Sequence, residues 1–286
     1  MKTINTILAL AFAATSFVAQ VYAQSIKTPS FAQPLVQQWI TLYNEANPEV
    51  AVSLAGKQDT PDIQVVVSEK QGSQLGQNTV TFGRFAILPF AAEGSKAAQA
   101  FGHRRLSKTR LSHIYFNLPA EEDEFGDYLD ANKGMTIYAG NSQASVANAF
   151  AEFFGVSATA FRGKRIQGDD RFVNLAVSRD ETGLSFNALA NLFDLETRQL
   201  RQGIQLLNPE ASREVQKALE EGNLDQILTT LEESKNEAVA TSDIRLSYDA
   251  NNVEASRFVA WVLSEGVKYN HQFGLLNNEV QLQANK

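Results

Sequence analysis

Three consecutive valines, Val65 to Val67, form the centre of the segment DIQVVVS, Asp62 to Ser68. A β-strand sends alternate side chains to opposite faces, so three β-branched apolar residues in a row need burial on both. A sheet buried on both faces is covered by helices and is mostly parallel. This run therefore points to an α/β chain, and the neighbouring segments agree. Val50 to Leu54 in EVAVSLA reads as a strand, as does Arg84 to Phe90 in RFAILPF, which Pro89 should stop. Thr136 to Tyr138, Phe172 to Ser178 (FVNLAVS), Gly183 to Leu189 (GLSFNAL) and Asp243 to Tyr248 read as further strands.

Helical spacing alternates with these runs. Leu35, Val36, Trp39, Ile40 and Tyr43 lie on one face of PLVQQWITLYN, and Pro34 sits in its first turn, where a missing N–H does no harm. Ser107 to Phe116 is helical, with Leu106, Leu111, Ile114 and Tyr115 on one side. Ser212 to Asn236 is a helix pair broken at Gly222-Asn223. The last helix, VEASRFVAWVLSEGVKYNHQFG, turns Phe258, Val259, Val262, Leu263 and Tyr269 inward. PAEEDEFGDYLDANKG, between the central helix and strand, is an acidic, turn-rich surface segment.

The chain starts MKTINTILALAFAATSFVAQVYAQ. Lys2 gives a positive start, a mostly apolar stretch runs from Ile4 to Val21, and Val21-Tyr22-Ala23 is a small-residue cleavage site. Residues 1–23 read as a secretory signal peptide cut after Ala23, and the expected location is the periplasm. Thr15, Ser16 and Gln20 interrupt the run and no basic stop-transfer cluster follows, which argues against a retained membrane anchor. Cleavage leaves 263 of the 286 residues, with 24 basic against 32 acidic groups and a net charge of −8. No Lys/Arg block is long enough for nucleic acid, so none is expected as a partner. The chain has no cysteine, which excludes disulfides, thiolate metal sites and a cysteine nucleophile.

No motif advertises catalysis. His103, His113 and His271 lie far apart without metal-ligand spacing. There is no G-x-S-x-G elbow, P-loop or G-x-G-x-x-G. Asp169-Asp170 and Glu220-Glu221 sit in polar runs and read as solvated surface. No catalytic residue, metal or cofactor is expected. Small polar residues instead gather at strand ends. Ser30 precedes the first mature helix, Ser68 and Glu69 end the valine strand, and Asn141, Ser142, Gln143 and Ser145 open the helix of NSQASVANAFAEFFG. Helix N-termini carry unpaired N–H donors and partial positive charge, and serine hydroxyls add donors that rotate to fit an oxyanion. The same residues are also ordinary N-caps.

In order, SFAQPLVQQWITLYNEANPEVAVSLAG, DIQVVVSE, RFAILPF, LSKTRLSHIYFN, MTIYAGNSQASVANAFAEFF, GLSFNAL and RFVAWVLSEGVKYNHQFG resemble segments of the phosphate-binding proteins of ABC phosphate uptake, a branch of the type II periplasmic binding proteins. The resemblance covers most of the mature chain and rests on the order of motifs that are individually weak. It implies two α/β lobes, each a mostly parallel sheet flanked by helices, joined by two crossover hinge strands. Residues 24–87 with 242–286 would form one lobe and 88–241 the other. It implies a monomeric, non-enzymatic binding protein that delivers phosphate or a related small oxyanion to an inner-membrane ABC permease. Ser30 and Phe31 would be first-lobe contacts, Ser68 and Glu69 would stand for the family's Ser-Asp pair, and Asn141, Ser142, Gln143 and Ser145 would lie at the second-lobe anion turn.

The departures are specific. AGKQDTPD replaces the family's Gly-Ser-Ser-Gly-Gly loop, and the arginine of the anion turn has no counterpart, its region being filled by Ala139 to Asn141. Arg84 could supply that charge. The losses leave open a second reading, a ligand-free interaction or sensor protein on the same scaffold. A third, an enzyme, would rest on Glu69 with Ser30.

Overall fold

The computed structural model describes residues 22–56, 58–67, 78–118, 133–141, 146–234 and 238–278. The apolar N-terminal stretch up to Val21, the acidic stretch 119–132, and the site candidates Ser68, Glu69, Ser142, Gln143 and Ser145 lie outside them.

Among the described residues nine strands make one sheet. They are β1 (Tyr22–Lys27), β2 (Val50–Leu54), β3 (Ile63–Val66), β4 (Asn78–Ala92), β5 (Thr136–Gly140), β6 (Lys164–Ile166), β7 (Gly183–Ala188), β8 (Ile204–Leu206) and β9 (Ala240–Tyr248). Their spatial order is β2-β1-β3-β9-β4-β7-β5-β6, with β8 added alongside β4. β1 pairs parallel with β2 and β3, and β5 pairs parallel with β6 and β7. Between these parallel ends run β4 and β9, antiparallel to each other from Asn78 opposite Tyr248 to Ile87 opposite Ala240. This is the expected α/β class, with two parallel ends and two long strands crossing the middle. The valines of β3 behave as their sequence demands. Ile63, Val65, Val66 and the following Val67 are all at most 1% exposed.

The helices are α1 (Gln33–Ala46), α2 (Lys96–Phe101), α3 (Lys108–Tyr115), α4 (Val146–Phe153), α5 (Arg171–Ser178), α6 (Leu189–Leu192), α7 (Arg213–Glu221), α8 (Leu224–Glu233) and α9 (Val253–Ser264). At the first end, α1 packs Trp39 edge-on against Phe82 and Tyr43 edge-on against Phe258 of α9. The Trp39 indole N–H is satisfied by the Gly266 carbonyl at 2.8 Å, which lets a buried tryptophan keep its polar atom. At the second end, α4 inserts Phe150 face to face against Phe186 of β7, with centroids 3.9 Å apart, and Tyr115, Phe116 and Phe161 surround the pair. The opposite face of that end is covered by Val173 and Val177 of α5 and by the apolar stripe of α7 and α8.

Three expectations need correction. FVNLAVS is the helix α5, not a strand. Its alternation is outweighed by the i, i+4 pair Val173 and Val177, which are buried, while Phe172 and Leu175 point outward at 53% and 46% exposure. Pro89 does not stop its strand, because β4 runs on to Ala92. In an antiparallel ladder the N–H and C=O of a residue face the same edge. The Pro89 carbonyl accepts from Leu207 N–H at 2.9 Å. Its missing N–H faces that same edge at the very end of the β8 pairing, so one terminal ladder bond is forgone, while β7 pairs with β4 without a break from Ile87 to Ala91 on the other edge. Leu263 is exposed rather than inward, while Phe258, Val259 and Val262 fill the core as expected.

Phe150 joins α4 to the aromatic cluster that carries the second end. Phe150→Ala should cost about 3–5 kcal/mol, the range for emptying a buried aromatic site. Urea unfolding should show a lower midpoint at unchanged slope, the sign of lost stability without a change in the surface exposed.

Candidate functional site

β1 and β6 are six strand steps apart in the sheet order. At about 4.8 Å per step a flat sheet would hold them roughly 29 Å apart. Yet Ser30, just after β1, donates its hydroxyl to Asp169 Oδ1, three residues past β6, at 2.9 Å. The sheet is therefore curled, and its two ends meet where β1 and β6 finish. Ser30 opens a single 3-10 turn, Ser30–Ala32, that runs straight into α1. Asp169 and Asp170 lead into α5, so each partner is fixed by a helix start.

Asp169 is held from its own side as well. Its Oδ1 accepts the Arg171 N–H at 2.8 Å, and its Oδ2 accepts from the Arg171 guanidinium at 2.7 and 3.0 Å. Partial burial pushes this carboxyl up, but the Arg171 bonds, with help from Ser30, outweigh it and the net shift is down. Asp170 has the opposite environment. It is 6% exposed, and its Oδ2 accepts the N–H of Val146, the first residue of α4, at 2.9 Å. Its own carbonyl accepts from Asn187 Nδ2 at 3.0 Å. Asn187, fully buried on β7, also donates to Asn174 Oδ1 and accepts from the Ala188 N–H and from Asn191 Nδ2. Asn174 closes the loop by donating to the Asn191 carbonyl. No side-chain atom of this knot is left both fully buried and without a partner, which is what a buried polar network needs to be stable.

The expectation that Asp169-Asp170 is solvated surface is thus wrong for Asp170. Burial pushes the Asp170 carboxyl up to about 6, the Val146 N–H pulls it back, and the neighbouring Asp169 charge raises it further. These aspartates were set aside because they lie in a polar run, and reading FVNLAVS as a strand removed the helix start that would have drawn attention to them. Once it is a helix, Gly168-Asp169-Asp170 is its N-terminal approach, where acidic residues and caps belong.

The other predicted site residues are spread out. Phe31 gives its ring to the core, 4.8 Å from Phe85, and is 2% exposed. Asn141 is exposed, and its N–H is bonded to the Ile166 carbonyl at the end of β6, three residues before Asp169. Arg84 sits on β4 and pairs with the C-terminal segment. Its backbone exchanges two hydrogen bonds with Leu276, and its Nε donates to the Asn277 carbonyl at 3.3 Å. A cavity of about 610 Å³ opens between α4 and the crossover strand β9, lined by Glu152, Phe153, Thr241, Asp243 and Arg245 among others. Asp243 and Arg245 pair at 2.8 Å along its wall. None of the described site candidates lines it. Among the described residues no cluster of His, Asp and Glu could hold a metal, and no helix is long and apolar enough to cross a membrane.

No family model matches the sequence, and no curated protein matches it. Solved structures do. A Clostridium perfringens protein described as a phosphate ABC transporter substrate-binding protein, with phosphate bound, is similar at TM-score 0.62 and 12% identity, over 90% of this chain and 100% of its own. An ABC-type phosphate transport receptor from Vibrio cholerae is similar at 0.57 and 13% identity, over 89% and 100%. The fold is that of the type II periplasmic binding proteins. The CcmR regulatory domain of Synechocystis PCC6803, in complex with 2-PG, is similar at 0.50 and 11% identity, over 86% and 97%. At such identities the likeness establishes the fold and no more. The scaffold is one used by solute-binding proteins and by a regulatory domain alike.

The opposite environments of the two aspartates predict a pH signature. A carboxyl raised in the folded state stabilises below its unfolded value of 3.8, and that contribution is lost as pH rises through about 6. Asp170→Asn keeps an acceptor for Val146 but has no charge to bury. Its unfolding free energy should exceed that of the parent by about 3 kcal/mol above pH 7, with the gain disappearing toward pH 4. Urea unfolding at a series of pH values checks this. A variant destabilised equally at every pH would contradict it.

Proposed function

We propose that this chain is an extracytoplasmic solute-binding protein that takes phosphate or a related small oxyanion between the two ends of its curled sheet and passes it to an ABC permease of the inner membrane. The protein acts as a monomer in the periplasm after removal of residues 1–23. The proposed lobes are residues 24–87 with 242–286 and residues 88–241, hinged at β4 and β9. It performs no catalysis.

The observation that carries the reading is the placement of Ser30. A hydroxyl in the turn that leads into α1 bonds Asp169 at the approach to α5 from across the sheet, and the adjacent Asp170 takes the first amide of α4. Anion sites are built from such hydroxyls and helix starts, without need of a net positive protein. The likeness to structures named for phosphate transport supports the same choice of ligand class. In this proposal Ser68, Glu69, Asn141, Ser142, Gln143 and Ser145 complete the site, with the backbone of Phe31. Arg84 is the weakest member, since its guanidinium is already engaged by the C-terminal segment.

A second reading is favoured by one observation. The Ser30 hydroxyl and the Val146 N–H are both already paired with carboxylates of the chain itself. A scaffold with its donors so occupied could serve as a ligand-free interaction or sensor protein.

Thermal unfolding with phosphate, sulfate, molybdate and neutral sugars at matched ionic strength separates the two. A ligand at about 100 times its dissociation constant adds roughly 2.7 kcal/mol, or roughly 5–10 °C here. The proposal expects such a rise with phosphate or another oxyanion, and its reduction in Ser30→Ala. No rise with any anion would reject it in favour of the interaction protein.

A further inference from the structure

The dipeptide Asp169-Asp170 meets both cleft donors described above. Asp169 takes the Ser30 hydroxyl from the first end of the sheet, and Asp170 takes the first amide of α4 at the second. Neither carboxylate is free to drift. Arg171 grips Asp169 through its backbone N–H and guanidinium, and Asn187 holds the Asp170 carbonyl. The carboxylates are therefore presented to the donors by their own side of the cleft, whether or not Ser30 is there to bond.

The Ser30 bond links segments 139 residues apart in the chain. It joins the ends of β1 and β6, the strands that a flat sheet would separate most widely save for β2. A hydrogen bond to an ionised carboxylate is among the stronger neutral-to-charged contacts. An anion brought to the Ser30 hydroxyl must also come within a few ångströms of the ionised Asp169, and like charges at that range repel.

We propose that the Ser30–Asp169 bond, with Asp170 seated on the first amide of α4, is an autoinhibitory clasp. It holds the two ends of the curled sheet together without ligand, and it occupies donors that an incoming oxyanion has to take over. The first half of this inference concerns the ligand-free protein alone, whereas the second rests on the oxyanion reading of the site.

Two measurements test the halves separately. Hydrogen–deuterium exchange of the ligand-free protein, compared with Ser30→Ala, reads the clasp. Exchange should speed up at least fivefold in residues 28–34 and in residues 164–172 together, with β4 unchanged and far-UV circular dichroism showing an intact fold. Unaltered exchange in both segments would overturn the clasp. Calorimetric titration with inorganic phosphate at pH 7.5, compared with Asp169→Asn, reads the competition. Asparagine keeps an acceptor for Ser30 and removes the charge, so phosphate should bind at least tenfold tighter. Weaker binding would overturn the competition and make Asp169 a ligand contact. Faster exchange in Ser30→Ala with no phosphate binding to either parent or Asp169→Asn would support the clasp while rejecting the oxyanion reading.

Discussion

The antiparallel pairing of β4 with β9 is the constraint on which the remaining architecture depends. Each parallel end of the sheet needs helical crossovers and could close on its own. What makes them one sheet is a pair of long strands that belong to both. β4 pairs with β9 from Asn78 to Ile87 and with β7 from Ile87 to Ala91. The ladder slips by one residue between Thr81 and Gly83. There the C-terminal segment closes in: Asn270 donates to the Phe82 carbonyl, and Leu276 bridges to Arg84. A side chain at Gly83 would meet the Leu276 carbonyl and the Asn270 amide at 2.9 Å, so the close approach requires glycine. The irregularity is thus where the chain's end is fastened to its middle.

From that spine the meeting of the two ends follows by geometry. Curling brings the finish of β1 to the finish of β6, and the residues that meet there are a serine and a carboxylate rather than two apolar surfaces. The polar knot around Asp170 costs desolvation, and it is offset by the hydrogen bonds that link Asn174, Asn187 and Asn191. Holding one aspartate ionised and pushing its neighbour toward neutrality lets two adjacent carboxyls share a small space with less mutual repulsion.

Much of the fold was legible in the sequence because local and tertiary preferences agree there. The triple valine announced a doubly buried strand, and Pro34 with the Trp39 to Tyr43 stripe announced α1. Gly222 takes the left-handed conformation that ends α7, and Asn223 then caps α8 through the N–H groups of Asp225 and Gln226, as the Gly-Asn break predicted. The failures have one cause each. β1 was not read, since it follows directly on the apolar N-terminal run and looks like its tail. β4 was cut short because a proline is tolerated where it forgoes only a terminal ladder bond, and where ladders end is set by strands far away in sequence. α5 was taken for a strand because seven residues fit both periods, and length could not arbitrate. That error removed the helix start that would have drawn attention to the aspartates. The burial of Asp170 depends on the start of α4 and on a β7 asparagine, and no local pattern records either.

The claim that two sequence-distant helix starts meet across a curled sheet is open to direct measurement. The chain has no cysteine, so spin labels at Lys27→Cys and Gln167→Cys, both exposed and near the two partners, report one distance without background. Pulsed electron spin resonance on the ligand-free protein should give a short, narrow distribution that lengthens and broadens in Ser30→Ala. A long, broad distribution in the parent, unchanged by Ser30→Ala, would contradict the account.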